Sequence, residues 1–202
     1  MTIWRGETPL ILASQSAARK MLLTNAGISF EAIPADIDER ALQKNSGLSA
    51  AGDIAALLAE QKAAFVSLRH VGRYVVGADQ TLALGTRLFS KPAGRTEAAD
   101  QLRALAGQTH VLHSAIAVAC DGATLFSHVS VAHMTMRKLD DAAIDAYLDA
   151  AGEAVTSSVG AYQLEGLGVH LFELIEGDHF TILGLPLLPL LKFLRGEAMV
   201  TI

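Results

Sequence analysis

Two short segments combine residue types suited to phosphate chemistry. In Leu10-Ile11-Leu12-Ala13-Ser14-Gln15-Ser16-Ala17-Ala18-Arg19-Lys20, an apolar strand leads into two hydroxyls, a helix start and two cations. Free N–H groups and the dipole at a helix N-terminus favour an anion, and an arginine grips phosphate oxygens in a fork. The same letters also describe an ordinary serine N-cap on a surface helix. In Val76-Gly77-Ala78-Asp79-Gln80-Thr81, a carboxylate closes an apolar strand, and strand ends are where α/β sheets usually place ligands. Asp79 could hold Mg²⁺, take a proton from water or do both in turn; the plainer alternative is a turn aspartate capping its own backbone.

Weaker candidates surround these two. Pro92 restricts Lys91 to extended backbone and so aims its ammonium, although Lys-Pro is also a common solvated loop end. Lys62, in Ala59-Glu60-Gln61-Lys62-Ala63, reads locally as a solvent-facing helix lysine. Asp36, Asp38 and Glu39 form an acidic cluster open to metal binding or to simple solvation. Residues 157–166, polar and bracketed by glycines, read as a shaped binding loop. His110 and His113 fall on opposite faces of a strand and so do not share a zinc ion. Cys120 reads as packing. There is no Gly-x-Ser-x-Gly elbow, no Gly-Lys-Ser/Thr phosphate loop and no zinc cysteine pair.

The elements that must position these residues follow from period and punctuation. A strand is expected at residues 9–13, a helix at 17–26 stopped by Gly27, a second strand at 30–34 and a loop at 36–46. Residues 49–69 read as a long helix with an apolar stripe of Ile54, Leu57, Leu58, Ala64, Phe65 and Leu68. A strand at 74–78 ends at Asp79, and residues 81–90 form a hairpin turning at Gly85-Thr86. A helix starts near Thr96 and stops at Gly107. Strands at 111–120 and 123–136 flank Asp121-Gly122, a dipeptide that tolerates positive φ. Helices follow at 140–151, stopped by Gly152, and at 186–195, with Pro186 in the first turn. Strands and helices alternate without a repeat or a low-complexity linker, giving one α/β unit with room for two lobes.

Composition narrows the function classes. The 202 residues are 51% hydrophobic with a formal net charge of -5, which supplies a core and argues against coating a nucleic acid. One cysteine forms no internal disulfide, so a cytoplasmic setting is expected. The apolar run at 10–13 is too short for a signal-peptide core, and the run at 180–191, broken by Gly184, Pro186 and Pro189, falls short of the ~20 residues that span a bilayer. No membrane partner is expected.

Taken in order, Leu-Ile-Leu-Ala-Ser-x-Ser, Gly77-Ala78-Asp79-Gln80-Thr81, Lys91-Pro92, Leu105-Ala106-Gly107-Gln108-Thr109-His110, Gly160-Ala161-Tyr162, Glu176-Gly177-Asp178 and Gly184-Leu185-Pro186 resemble the Maf family of nucleoside triphosphate pyrophosphatases. The resemblance runs colinearly from about Leu10 to Arg195. It implies a single Maf-like domain over residues 1–202 with a mixed twisted sheet, flanking helices and two lobes around a central cleft. It further implies a fold related to the inosine triphosphate pyrophosphatases, a divalent cation (Mg²⁺ or Mn²⁺) and, since members are often dimers, a homodimer. By the same resemblance Asp79 is the proton acceptor, Ser14, Ser16, Arg19, Lys62 and Lys91 contact phosphates, and Glu39 with Asp79 holds the metal. Two departures stand out: Ser16-Ala17-Ala18-Arg19 replaces the family's Ser-Pro-Arg-Arg, leaving one cation fewer, and Glu165 replaces a glutamine. At neutral pH the latter exchanges a donor and acceptor for an acceptor alone, which bears on metal recruitment or base choice.

The expected reaction is in-line attack of water on the α-phosphorus of a standard or modified nucleoside triphosphate, giving monophosphate and pyrophosphate. Two alternatives stay open. One is a nucleotide-binding regulator of septum formation with little catalysis; the other is a phosphatase or kinase, told apart by its product.

Overall fold

The computed structural model describes residues 3–202. Among these residues seven strands and seven α-helices follow in the order β1 (Leu10–Leu12), α1 (Ala17–Asn25), β2 (Phe30–Ala32), α2 (Glu39–Ser46), α3 (Ala51–Ser67), β3 (Val75–Leu84), β4 (Arg87–Phe89), α4 (Arg95–Leu105), β5 (Thr109–Cys120), β6 (Ala123–Met136), α5 (Asp141–Ala151), β7 (Phe172–Glu176), α6 (His179–Ile182) and α7 (Leu187–Gly196). The strands form a mixed sheet in the order β2-β1-β3-β5-β6-β7, with β4 beside β3. β1 is parallel to β2 and β3; β3–β4 and β6–β7 are antiparallel. The expected α/β class with flanking helices is therefore the observed one. Among the described residues no helix is long and apolar enough to cross a membrane.

Contacts divide the chain into two compact units. The first takes the described residues up to Gln80, with Ser114–Ser130 and Leu183–Ile202. Its centre is small-residue packing: Ala55, Ala59 and Ala63 of α3 meet Ala115, Ala117 and Ala119 of β5, while Ile11, Ala13, Val66 and Val75 close an adjoining cluster. The β5–β6 turn puts Asp121 at φ 50° and Gly122 at φ 81°, as its sequence requires.

The second unit takes Thr81–His113 and Val131–Ile182. Its core is built from larger side chains, among them Leu82, Leu102, Leu105, Leu112, Met134, Met136, Ile144 and Leu148. The β3–β4 hairpin turns at Gly85-Thr86 with Leu84 opposite Arg87, as expected. Gly94 caps α4, whose first residue is Arg95 rather than Thr96.

Several expectations need correction. The segment 36–46 is not all loop: Asp38 Oδ1 accepts the Ala41 N–H at 3.0 Å, Gly47 closes the other end at φ 69°, and α2 lies between. That helix buries no residue, so it has no apolar stripe to read. Asp79 does not end its strand; β3 continues through it to Leu84. The buried face of α3 is Ile54, Ala55, Leu58, Ala59, Lys62, Ala63, Val66 and Ser67, whereas Leu68 is 65% exposed. Cys120 is half-buried at the hairpin end, with Sγ 3.7 Å from Asp121 Oδ2, rather than packed in a core.

Candidate active site

A glycine and a row of alanines set the central contact. A Cβ at Gly77 would lie 2.1 Å from the Ala59 carbonyl oxygen and 2.6 Å from the Ala63 nitrogen, so only glycine lets α3 lie this close to β3. Asp79, two residues further along β3, shares Gly77's face of the sheet. Lys62 falls between Ala59 and Ala63 on the helix, and its Nζ donates to Asp79 Oδ1 at 2.6 Å. The same ammonium is 2.8 Å from Glu39 Oε1, on the first turn of α2. Lys62 and Asp79 are each 8% exposed, so the solvent-facing reading of Lys62 fails: its neighbours are alanines, which bury a helix face without advertising it.

Arg19 occupies the neighbouring corner. Its Nε donates to the Gly184 carbonyl at 2.8 Å, and its Nη1 donates to the Ala78 carbonyl at 2.8 Å and to Ser14 Oγ at 3.2 Å. Ser16 caps α1, its Oγ accepting the Arg19 N–H at 3.4 Å, while Ser14 Oγ accepts the Ser16 N–H at 3.2 Å. The N-cap reading of Ser16 thus holds, and it leaves the helix start beside a guanidinium. Ala78 directly precedes Asp79, which ties Arg19 to the carboxylate through one residue of backbone.

Charge and burial compete here. Burial pushes the Asp79 carboxyl above the usual aspartate range, and Lys62 and Arg19 offset only part of that. Burial likewise lowers Arg19, opposed by Asp79 and Glu39, but a guanidinium remains cationic. A carboxylate raised in this way is a better proton acceptor than an ordinary aspartate.

Among the described residues no three His, Cys, Asp or Glu side chains cluster closely enough to hold a metal by themselves. Glu39 and Asp79 still offer a hard-oxygen pair. Lys62 engages Oε1 of one and Oδ1 of the other, and Oε2 and Oδ2 make no hydrogen bond among the described residues. Two carboxylates fit Mg²⁺ or Mn²⁺ when water and phosphate oxygens complete the shell.

Ser14, Ser16, Arg19, Glu39, Lys62 and Asp79 all lie in the first unit. Lys91 and Glu165 lie in the second; both are exposed, with no ion pair or hydrogen bond among the described residues. Sequence reasoning missed the carbonyls of Ala78 and Gly184 as partners of Arg19, although Gly184-Leu185-Pro186 had been noted as a motif. It also missed Gly77 as a contact glycine and Gln101 as a buried polar group.

A mixed α/β sheet thus carries a buried carboxylate, a bridging lysine and a carbonyl-anchored arginine in one corner. The chain belongs to the Maf-like protein family, whose model matches residues 9–197. It is 69% identical to a nucleoside triphosphate pyrophosphatase of Rhodopseudomonas palustris, over 98% of each chain, and 67% identical to one of Bradyrhizobium diazoefficiens over the full length of both. A 7-methyl-GTP pyrophosphatase of Brucella abortus is 53% identical over 93% of this chain and 96% of that protein. Among solved structures, a dITP/XTP pyrophosphatase of Mycobacterium abscessus matches 95% of each chain at 15% identity and a TM-score of 0.40, too weak a likeness to carry an inference.

Proposed function

We propose that the protein hydrolyses nucleoside triphosphates, 7-methyl-GTP or another modified guanosine nucleotide among them, to the monophosphate and pyrophosphate. The observation that carries this reading is the buried Asp79 carboxylate, raised in pKa and held 2.6 Å from the Lys62 ammonium. Relatives that are 53% to 69% identical and carry pyrophosphatase names support the substrate class.

Asp79 accepts a proton from a water whose oxygen bonds to the α-phosphorus, the bond to the bridging α–β oxygen breaks, and pyrophosphate leaves with its electron pair. Lys62 and Arg19 offset charge gathering on the departing phosphates, and Ser14 and Ser16 with the α1 N-terminus add hydrogen-bond donors. Lys91 contributes a further phosphate contact, and Glu165, an acceptor at neutral pH, bears on base choice. Glu39 and Asp79 would hold a divalent cation, which when bound supplies charge neutralisation on the phosphates. The same reading places the protein in the cytoplasm, as a homodimer acting on free nucleotides rather than on nucleic acid or membrane.

Asp79→Asn should lower kcat about 10³-fold while nucleotide affinity stays within a few-fold. Wild-type turnover in that variant overturns the assignment. The regulator reading rests on Ala18, where a second cation is missing, and it predicts saturable nucleotide binding with no pyrophosphate released by the wild type in Mg²⁺.

A further inference from the structure

We infer that Gln101, buried in α4, is a positioning residue that fixes the Lys91 loop and the Gly160-Ala161-Tyr162 loop to one another. The inference rests on the reading of Lys91 as a phosphate contact. Gln101 is 4% exposed, although it is a polar side chain on an otherwise apolar helix face of Ala98, Leu102 and Leu105. Its Nε2 donates to the Ser90 carbonyl at 2.9 Å, and its Oε1 accepts the Gly160 N–H at 3.1 Å. Each half of the amide therefore satisfies one backbone group in a different loop. A buried amide with a partner missing is a desolvated polar group left unpaired, so the arrangement is specified at both ends.

Both loops are otherwise held stiffly. On one side Lys91 sits between Ser90, whose carbonyl Gln101 holds, and Pro92, which is buried and restricts Lys91 to extended backbone. On the other, Gly160 has φ 79°, and a Cβ there would meet Leu82 Cδ1 at 2.6 Å and Tyr162 Cε1 at 2.8 Å. Ala161 follows at φ 62°, a left-handed conformation that a non-glycine residue adopts only under constraint. The constraint is visible: Tyr147 Oη donates to the Ala161 carbonyl at 3.1 Å, and Tyr162 Oη is hydrogen-bonded to His110 Nε2 at 2.7 Å. Gln101 is the side chain that joins this strained turn to the backbone carrying Lys91.

No apolar residue reproduces this. Met matches the length and bulk of Gln but leaves the Ser90 carbonyl and the Gly160 N–H without their partner, and Glu keeps the acceptor for Gly160 but loses the donor to Ser90. The backbone at Ser90 then loses this anchor, and the Lys91 ammonium meets a phosphate tail only after ordering that the wild type has already completed.

The test is calorimetric binding of inorganic tripolyphosphate in Mg²⁺ to the full chain and to Gln101→Met, Lys91→Ala and the double variant. Each single change should weaken binding about tenfold, the scale of one charge-assisted contact. The double variant should fall within about twofold of Lys91→Ala, because the two residues act through one contact. Steady-state kinetics of Gln101→Met should show the loss in KM for the nucleoside triphosphate with kcat within about twofold, a split that general destabilisation does not produce. If Gln101→Met does not fold, Gln101→Glu carries the same comparison. Lys91→Ala weakened with the Gln101 variant unchanged, or losses that multiply to about a hundredfold, overturns the positioning role and leaves the functional reading standing. Lys91→Ala binding as tightly as wild type, or a wild type that ignores tripolyphosphate, removes the role of Lys91 and the inference with it.

Discussion

Lys62 stands 2.6 Å from Asp79 and 2.8 Å from Glu39, so its removal unbalances both carboxylates at once. Burial already raises the Asp79 pKa, and Lys62 is the strongest influence pulling it down. In Lys62→Met that restraint is lost, the carboxyl rises further and a smaller fraction is ionised at any given pH. The acid limb of the kcat/KM profile should move to higher pH than in the wild type, with the plateau lowered about 10²-fold. A limb that stays in place would show that Asp79 is not the titrating base. At this scale Asp79 and Arg19 stood out as candidates by residue type and flanking pattern, but their partners did not. Arg19 spends its donors on carbonyls of Ala78 and Gly184, and a backbone oxygen leaves no mark in a sequence.

The approach of α3 to β3 is what makes that residue geometry reachable, and Gly77 controls it. Gly77→Ala forces a methyl group to within 2.1 Å of a backbone oxygen, so the helix must lift and carry Lys62 away from Asp79. The cost should be about 3 kcal/mol in urea unfolding, with kcat reduced in parallel. Gly196→Ala, where nothing lies within 4 Å of the added carbon, should be neutral or slightly stabilising. Equal effects of the two substitutions would refute the contact role of Gly77. Strong periods and turn dipeptides made most elements readable: α1, the β3–β4 turn at Gly85-Thr86 and the β5–β6 turn at Asp121-Gly122 all fall where their residues place them. The misreadings share a cause. α2 is held by its caps rather than by burial, and the buried face of α3 mixes three alanines, Lys62 and Ser67 with only three larger apolar residues, so the hydrophobic contrast on which periodicity depends is absent in the first and weak in the second. β3 runs on past the polar Asp79, and its last three residues, Leu82 to Leu84, pair with β4.

Across the whole molecule, stability should depend on pH through a group distant in sequence from Asp79. His110 is fully buried, and burial lowers its pKa from 6.5 to about 4. The unfolded chain therefore binds a proton that the folded chain refuses, and stability present above pH 6.5 is lost as pH falls toward 4, by about 3 kcal/mol. Between pH 7 and pH 4 the unfolding free energy of the wild type should fall by that much more than that of His110→Gln. Equal slopes would show that His110 does not set the acid limit. The α/β class was legible from the alternation of strands and helices. Where the two units divide was not, because β3, β5 and β6 each contribute to both and no linker composition marks a boundary. That Arg19, Glu39, Lys62 and Asp79 share one corner follows from tertiary packing, which local spacing does not encode. The central claim, that this corner directs water to an α-phosphorus, is tested most directly by turnover of a nucleoside triphosphate in H₂¹⁸O. The label should appear in the nucleoside monophosphate with pyrophosphate unlabelled; label in pyrophosphate, or release of orthophosphate in its place, would contradict it.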